Sequence, residues 1–201
     1  MYLRGFLFLI VLIIESLIQA PLYAQTSGPS YVKAIYSIPL SLDPIKMNDT
    51  ASLAVGNFLY DGLLKFSPTL KTEGALAESW STSKDGKILT FKLRKNIFFH
   101  DGSEIMASDV EASLQMALSK ESTVRKFYDS IKAIRVVDSK TIVIELNFPF
   151  PPFLSVLAGA TAKVLPKSKI SDPHFFDNPT GSGPFVCSGF FEQHGITKVA
   201  I

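Results

Sequence analysis

Cysteine is almost missing from this chain: Cys187 stands alone among 201 residues. A single thiol excludes an intrachain disulfide and any zinc site of the multi-cysteine kind. Histidine is nearly as scarce, and His100, His174 and His194 lie far apart. H-E-x-x-H, G-x-S-x-G, the P-loop and G-x-G-x-x-G are all absent, which removes the short signatures of zinc proteases, serine hydrolases and nucleotide sites. The glycine-rich stretch Gly181-Ser182-Gly183-Pro184 is not followed by Lys-Ser/Thr and does not fit a phosphate loop. An excess of one charge is lacking too. Lys+Arg number 20 and Asp+Glu 18, for a net +2, which excludes a strongly basic nucleic-acid binder. What is present, 47% hydrophobic and 19% charged residues, is the balance of a globular chain.

The first 24 residues read as an address. Arg4 gives a positive start, Phe6 to Ile14 is an unbroken apolar run, and Leu22-Tyr23-Ala24 precedes Gln25. That order is the layout of a secretory signal peptide. A bilayer span needs about 20 apolar residues, and Glu15 and Pro21 interrupt any extension. No cysteine lies near the cut after Ala24, so the expected product is free and soluble beyond the inner membrane and is not a lipoprotein.

Beyond a lead-in over 25–30, Tyr31 to Ile38 is apolar and β-branched enough for a strand, and Leu42-Asp43-Pro44 turns the chain because a proline disfavours helix before it. Apolar residues at Leu53, Ala54, Phe58, Leu59, Leu63 and Leu64 predict a helix over Ala51 to Phe66, capped by Asn48, Asp49 or Thr50. Ile88 to Leu93 predicts a strand after the hairpin signal Asp85-Gly86. Asp109 to Leu118 predicts a helix with Val110, Leu114 and Ala117 on one side and capping-box spacing at Ser108 and Glu111. Ala133 to Val137 and Thr141 to Leu146 predict a hairpin, and Pro149, Pro151 and Pro152 lead into a short helix through Leu157. Short strands are expected at Ala162 to Leu165, Phe185 to Phe191 and Thr197 to Ile201, the last two joined by a turn at His194-Gly195.

Several phrases in series carry a resemblance. They are Ser41-Leu42-Asp43-Pro44, Leu59-Tyr60-Asp61-Gly62-Leu63, Leu76-Ala77-Glu78-Ser79-Trp80, Asp85-Gly86, Leu89 to Lys95, Phe99-His100-Asp101-Gly102, Ala107 with Asp109-Val110, and Gly181-Ser182-Gly183-Pro184-Phe185. In this order and spacing the chain resembles the amino-terminal part of the family 5 extracellular solute-binding proteins, periplasmic receptors for oligopeptides, dipeptides and, in some members, nickel or haem, which feed ABC importers. The resemblance implies a mixed α/β, periplasmic-binding-protein-like fold: an incomplete first lobe, with segments 25–60 and 161–201 in the main lobe, apparently truncated, and 61–160 forming a smaller inserted α/β subdomain. It implies short peptides as ligand and permease subunits of the inner membrane as partners. Met106 stands near the place where the family usually carries a capping threonine, a role that Ser108 is expected to assume.

Most shared phrases read as structural. Trp80, the only tryptophan, is expected to pack in the core. Leu89, Phe91 and Leu93 alternate with Thr90, Lys92 and Arg94, so one strand face is expected buried and Arg94 and Lys95 exposed. His100 and Asp101 are neighbours that point opposite ways in an extended chain, and with Gly102 they read as a turn, not as a catalytic relay. By resemblance the segment after Leu42-Asp43-Pro44 offers extended backbone to a peptide, with Asn48, Asp49 and Thr50 at the matching positions; backbone pairing of that kind gives affinity without reading side chains. The alternative role for these three is helix capping. No catalytic residue, metal ligand or cofactor is assigned. Three other readings compete: nickel or haem binding within the same family, an inactive fragment, and a secreted hydrolase, which would need a nucleophile held by a base.

Overall fold

The computed structural model describes residues 37–193 and 196–200. The proposed leader, the lead-in, most of the strand expected over 31–38, the turn at 194–195 and Ile201 lie outside them. The first described element is helix α1, Thr50–Leu59. Asp49 caps it: its Oδ1 accepts the Ser52 N–H at 2.9 Å, and Ser52 Oγ donates to Oδ2. The helix is shorter than its apolar spacing suggested. Tyr60 turns to extended backbone at φ −128° and ψ 140°. Gly62 then presses its backbone so close to Ala162 that a Cβ would sit 2.3 Å from the Ala162 carbonyl oxygen. Leu64–Phe66 consequently becomes strand β1, paired antiparallel with β2, Thr72–Gly74. The buried face of α1 is Ala51, Ser52, Val55, Gly56 and Leu59, whereas Leu53, Ala54 and Phe58 are half-buried.

A four-stranded antiparallel sheet in the order β3-β4-β6-β5 forms the centre. Its strands are β3, Ala77–Thr82, β4, Ile88–Leu93, β5, Ile131–Asp138, and β6, Thr141–Leu146. The turn at Asp85-Gly86 joins β3 to β4, with Gly86 at φ +71°, a conformation that glycine adopts without strain. Alternation works as expected on β4: Leu89, Phe91 and Leu93 are buried, and Ile142, Ile144 and Leu146 face the same core from β6. Each such side chain contributes roughly 1.5–3 kcal/mol by leaving water. Trp80, opposite Phe91 in the ladder, packs half-buried against this core.

Helix α2, Ala107–Ala117, packs on β5 and β6 through Val110, Leu114 and Ala117. It starts earlier than the Ser108–Glu111 pattern implied. Met106 is the N-cap, and Asp109 Oδ2 accepts the Met106 N–H at 2.8 Å, so a carboxylate in the first turn does the work expected of Ser108. Helix α3, Phe153–Leu157, follows Pro152 as expected. The strand expected at Ala162 to Leu165 does not form. Val164 N–H goes to the Asp61 carbonyl and Leu165 N–H to Ser113 Oγ, one bond to the loop after α1 and one to α2 instead of a ladder. Strands β7, Gly189–Gln193, and β8, Ile196–Ala200, pair antiparallel; β7 starts later than Phe185, whose N–H is taken by Phe58.

Two buried clusters result. The larger gathers the sheet, α2 and α3, with Leu63, Leu64, Ala162 and Val164. The smaller joins Leu42, Val55, Leu59 and Tyr60 to Leu165, Phe175 and Cys187.

Candidate functional site

The segment before α1 is held from both sides. Asp43 receives the N–H groups of Lys46 and Met47 on its carbonyl and that of Ile45 on Oδ1, and Lys46 Nζ lies 3.1 Å from Oδ2. Tyr60 donates its hydroxyl to the Leu42 carbonyl at 2.9 Å, and burial pushes the Tyr60 phenol far up from its ordinary range, with Cys187 and Asp43 adding to the effect. Met47 is buried over Gly56, where a Cβ would stand 2.6 Å from its Sδ. On this rigid base Asn48 and Thr50 are exposed and Asp49 is half-buried. The three expected site residues are therefore adjacent at the start of α1, and one of them is committed to the cap. Desolvation raises the Asp49 pKa, but the bonds from Ser52, Ala51 and Leu40 outweigh it and the net shift is downward.

The phrase His100-Asp101-Gly102 is a turn, as expected: Gly102 has φ +83°, and Asp101 Oδ1 accepts the Ser103 N–H at 2.9 Å. The two side chains take separate partners. Asp101 Oδ2 meets Lys169 Nζ at 2.6 Å, and these bonds with Lys169 and Ser103 hold its carboxyl well below the usual range. His100 turns instead to the glycine strap, with Nε2 at 2.8 Å from the Gly183 carbonyl. Arg94 is exposed, as expected, yet it is engaged: Nε donates to the Ala75 carbonyl at 2.8 Å and ties the end of β4 to the connection between β2 and β3.

Sequence reasoning missed one polar group. Asp61, where the chain leaves α1, and Lys163 are close enough to influence each other's charge, and Asp61 N–H donates to Ser182 Oγ at 3.3 Å. Burial raises the Asp61 carboxyl and lowers Lys163 to about 8, and the opposite charges partly offset both shifts. Lys163 also lines a cavity of about 20 Å³ with Ser113, Tyr128 and Thr161, room for about one water. A lysine inside the small apolar stretch Gly159 to Leu165 was the available signal. Among the described residues no group of three His, Cys, Asp or Glu stands together to hold a metal, and no helix is long and apolar enough to cross a membrane.

The model for bacterial extracellular solute-binding proteins, family 5 Middle, matches residues 71–199. The chain belongs to this family. The glutathione-binding protein GsiB of Salmonella choleraesuis is 35% identical over 168 residues, covering 81% of this chain and 33% of its own. The periplasmic binding protein AgaA of A. tumefaciens R10, solved with agropinic acid, superposes with a TM-score of 0.71 at 30% identity, over 77% of this chain and 32% of that one. A periplasmic oligopeptide-binding protein of Borrelia burgdorferi gives a TM-score of 0.71 at 31% identity, over 76% and 35%. The mixed α/β fold is thus that of part of a periplasmic binding protein, and the chain spans about a third of the length of the curated relatives it matches.

Proposed function

We propose that this chain serves a periplasmic, non-enzymatic receptor for short peptides that delivers them to the permease of an ABC importer, and that Asn48, Asp49 and Thr50 form part of its peptide-facing surface. The observation that carries this reading is an exposed polar edge on a rigid base, in a chain whose relatives include glutathione- and oligopeptide-binding proteins. Binding of this type uses extended peptide backbone for affinity and works by shifting an open–closed population, with no covalent step. The reading includes export by a leader cut after Ala24. It also includes a division into a main lobe, 25–60 with 161–201, and an inserted subdomain, 61–160. Two separate buried clusters, drawn largely from those segments, support the division.

The test is a titration of the ¹⁵N-labelled chain with glutathione and mixed di- and tripeptides. One lobe supplies only part of a clasp, so weak binding with amide shifts concentrated at 48–50 is expected. Shifts confined to other surfaces would remove these residues from the site, and no shift at millimolar peptide would overturn the peptide reading.

A further inference from the structure

The glycine strap 181–185 crosses the end of α1. Gly183 donates its N–H to the Leu59 carbonyl at 2.9 Å and Phe185 donates to Phe58 at 3.1 Å. Both carbonyls lie in the last turn of the helix, where acceptors are available to groups outside it. A Cβ on Gly181 would lie 1.9 Å from the Leu59 oxygen, and one on Gly183 would lie 2.4 Å from the Phe58 oxygen. The approach is open only to residues without side chains. Phe185 adds an edge-on ring contact to Phe58 at 5.3 Å.

On its other side the strap is held by one residue. His100 donates its backbone N–H to the Gly181 carbonyl at 2.8 Å, Nδ1 accepts the Gly181 N–H at 3.3 Å, and Nε2 lies 2.8 Å from the Gly183 carbonyl. A carbonyl only accepts and an amide N–H only donates, so these partners define a neutral ring with its proton on Nε2. The neighbouring Asp101 adds a second tether: Lys169 bridges it at 2.6 Å to the Thr180 hydroxyl at 3.1 Å, just before the strap.

We infer that His100 is a positioning residue, a clip of fixed tautomer that holds strap 181–185 on the end of α1 and so ties the frame of that helix to the turn following β4. Its bearing on ligand rests on the peptide reading above, because α1 begins at the proposed peptide edge. The clip itself does not depend on that reading. Loss of the imidazole leaves the Gly183 carbonyl and the Gly181 N–H without partners, while the ladder of the central sheet is untouched.

The experiment is NMR on the full chain without peptide, so a failed clip and a failed peptide reading give different results. Imidazole ¹⁵N shifts are expected to show His100 as the Nε2–H tautomer. In His100→Ala, hydrogen exchange at the Gly183 and Phe185 amides is expected to rise about tenfold relative to the Ile144 amide in β6. His100→Gln, which returns a donor at the Nε2 position, is expected to recover most of that protection. A ring protonated on Nδ1, exchange that rises equally in β6, or unchanged protection at Gly183 and Phe185 would overturn the inference. Should His100→Ala not fold, the wild-type tautomer and the Gln variant decide.

Discussion

Asp109 Oδ1 accepts the backbone N–H of Lys167 at 2.8 Å, while the other oxygen of the same buried carboxylate accepts the N–H of Met106 at 2.8 Å. One side chain therefore caps α2 and clamps the segment that follows α3. Ser113, one turn on, repeats the device: its Oγ donates to the Asp109 carbonyl and accepts the Leu165 N–H at 2.9 Å. Asp109→Ala would leave two backbone donors without partners in a poorly hydrated place, and the expected loss is about 2–4 kcal/mol. Asp109→Asn retains one acceptor and opposes the second donor with an NH₂, so an intermediate loss is expected. Urea denaturation of the two variants checks the order; equal stabilities would show that the single acceptor retained by Asn contributes nothing.

Glycine positions separate two kinds of constraint. Gly102 has φ +83° and open space around it, whereas Gly181 is crowded, with a built Cβ 1.9 Å from backbone oxygen. Gly102→Ala is expected to cost about 1 kcal/mol from the left-handed backbone alone. Gly181→Ala forces the strap off α1 and is expected to cost more than about 3 kcal/mol or to prevent folding. Thermal melts of both variants check the contrast, and a mild Gly181→Ala would mean that the strap can shift freely.

Two buried tyrosines give opposite expectations for the same substitution. Tyr60 is fully buried and its hydroxyl serves the Leu42 carbonyl at 2.9 Å. Tyr128 is equally buried, but its hydroxyl has only a poorly formed contact with the Thr161 side chain and no good hydrogen bond. Tyr60→Phe leaves a buried acceptor unpaired and is expected to cost about 1–3 kcal/mol. Tyr128→Phe removes a poorly satisfied group and is expected to be neutral within about 1 kcal/mol or stabilising. Denaturant midpoints measured in parallel test this. A large loss in Tyr128→Phe would place a bound water in the adjoining cavity.

What the chain revealed in advance follows how local each signal is. Period-two alternation at Leu89, Phe91 and Leu93 and the turns at Gly86 and Gly102 are written in neighbouring residues, and they appear where expected. The ends of α1 and α2 were misplaced because their boundaries depend on distant groups. Gly62 meets Ala162, and Asp109 reaches both Met106 and Lys167. The stretch Ala162 to Leu165 has strand composition, yet the N–H groups of Val164 and Leu165 go to the Asp61 carbonyl and Ser113 Oγ and not to a neighbouring strand. At the candidate site, capping by Asp49 was legible from residue type, whereas the pairing of His100 with Gly181 and Gly183 across 81 and 83 positions was not.

Lys163 gives a pH signature. Its ordinary pKa of 10.5 is lowered to about 8, chiefly by burial, with Asp61 opposing the shift. Between those two values the unfolded chain holds a proton that the folded chain has released, so this group makes stability rise with pH there and costs its full amount below about 8. With allowance for partial exposure the span is about 1–3 kcal/mol. Lysine and tyrosine side chains of the unfolded chain ionise in the same range, so the informative quantity is the difference between wild type and Lys163→Met. That difference should move in favour of wild type from pH 8 to 10.5. On the acid side the sign reverses for Asp61, whose raised pKa makes the folded form hold the extra proton just above 3.8, so stability falls as pH increases through that window. Removing Lys163 takes away the largest opposing charge effect on Asp61, and the Asp61 window should extend to higher pH in Lys163→Met. Urea midpoints from pH 4 to 10.5 would show both limbs. A wild-type-minus-variant difference that stays flat across the alkaline limb would mean that the Lys163 ammonium remains in water.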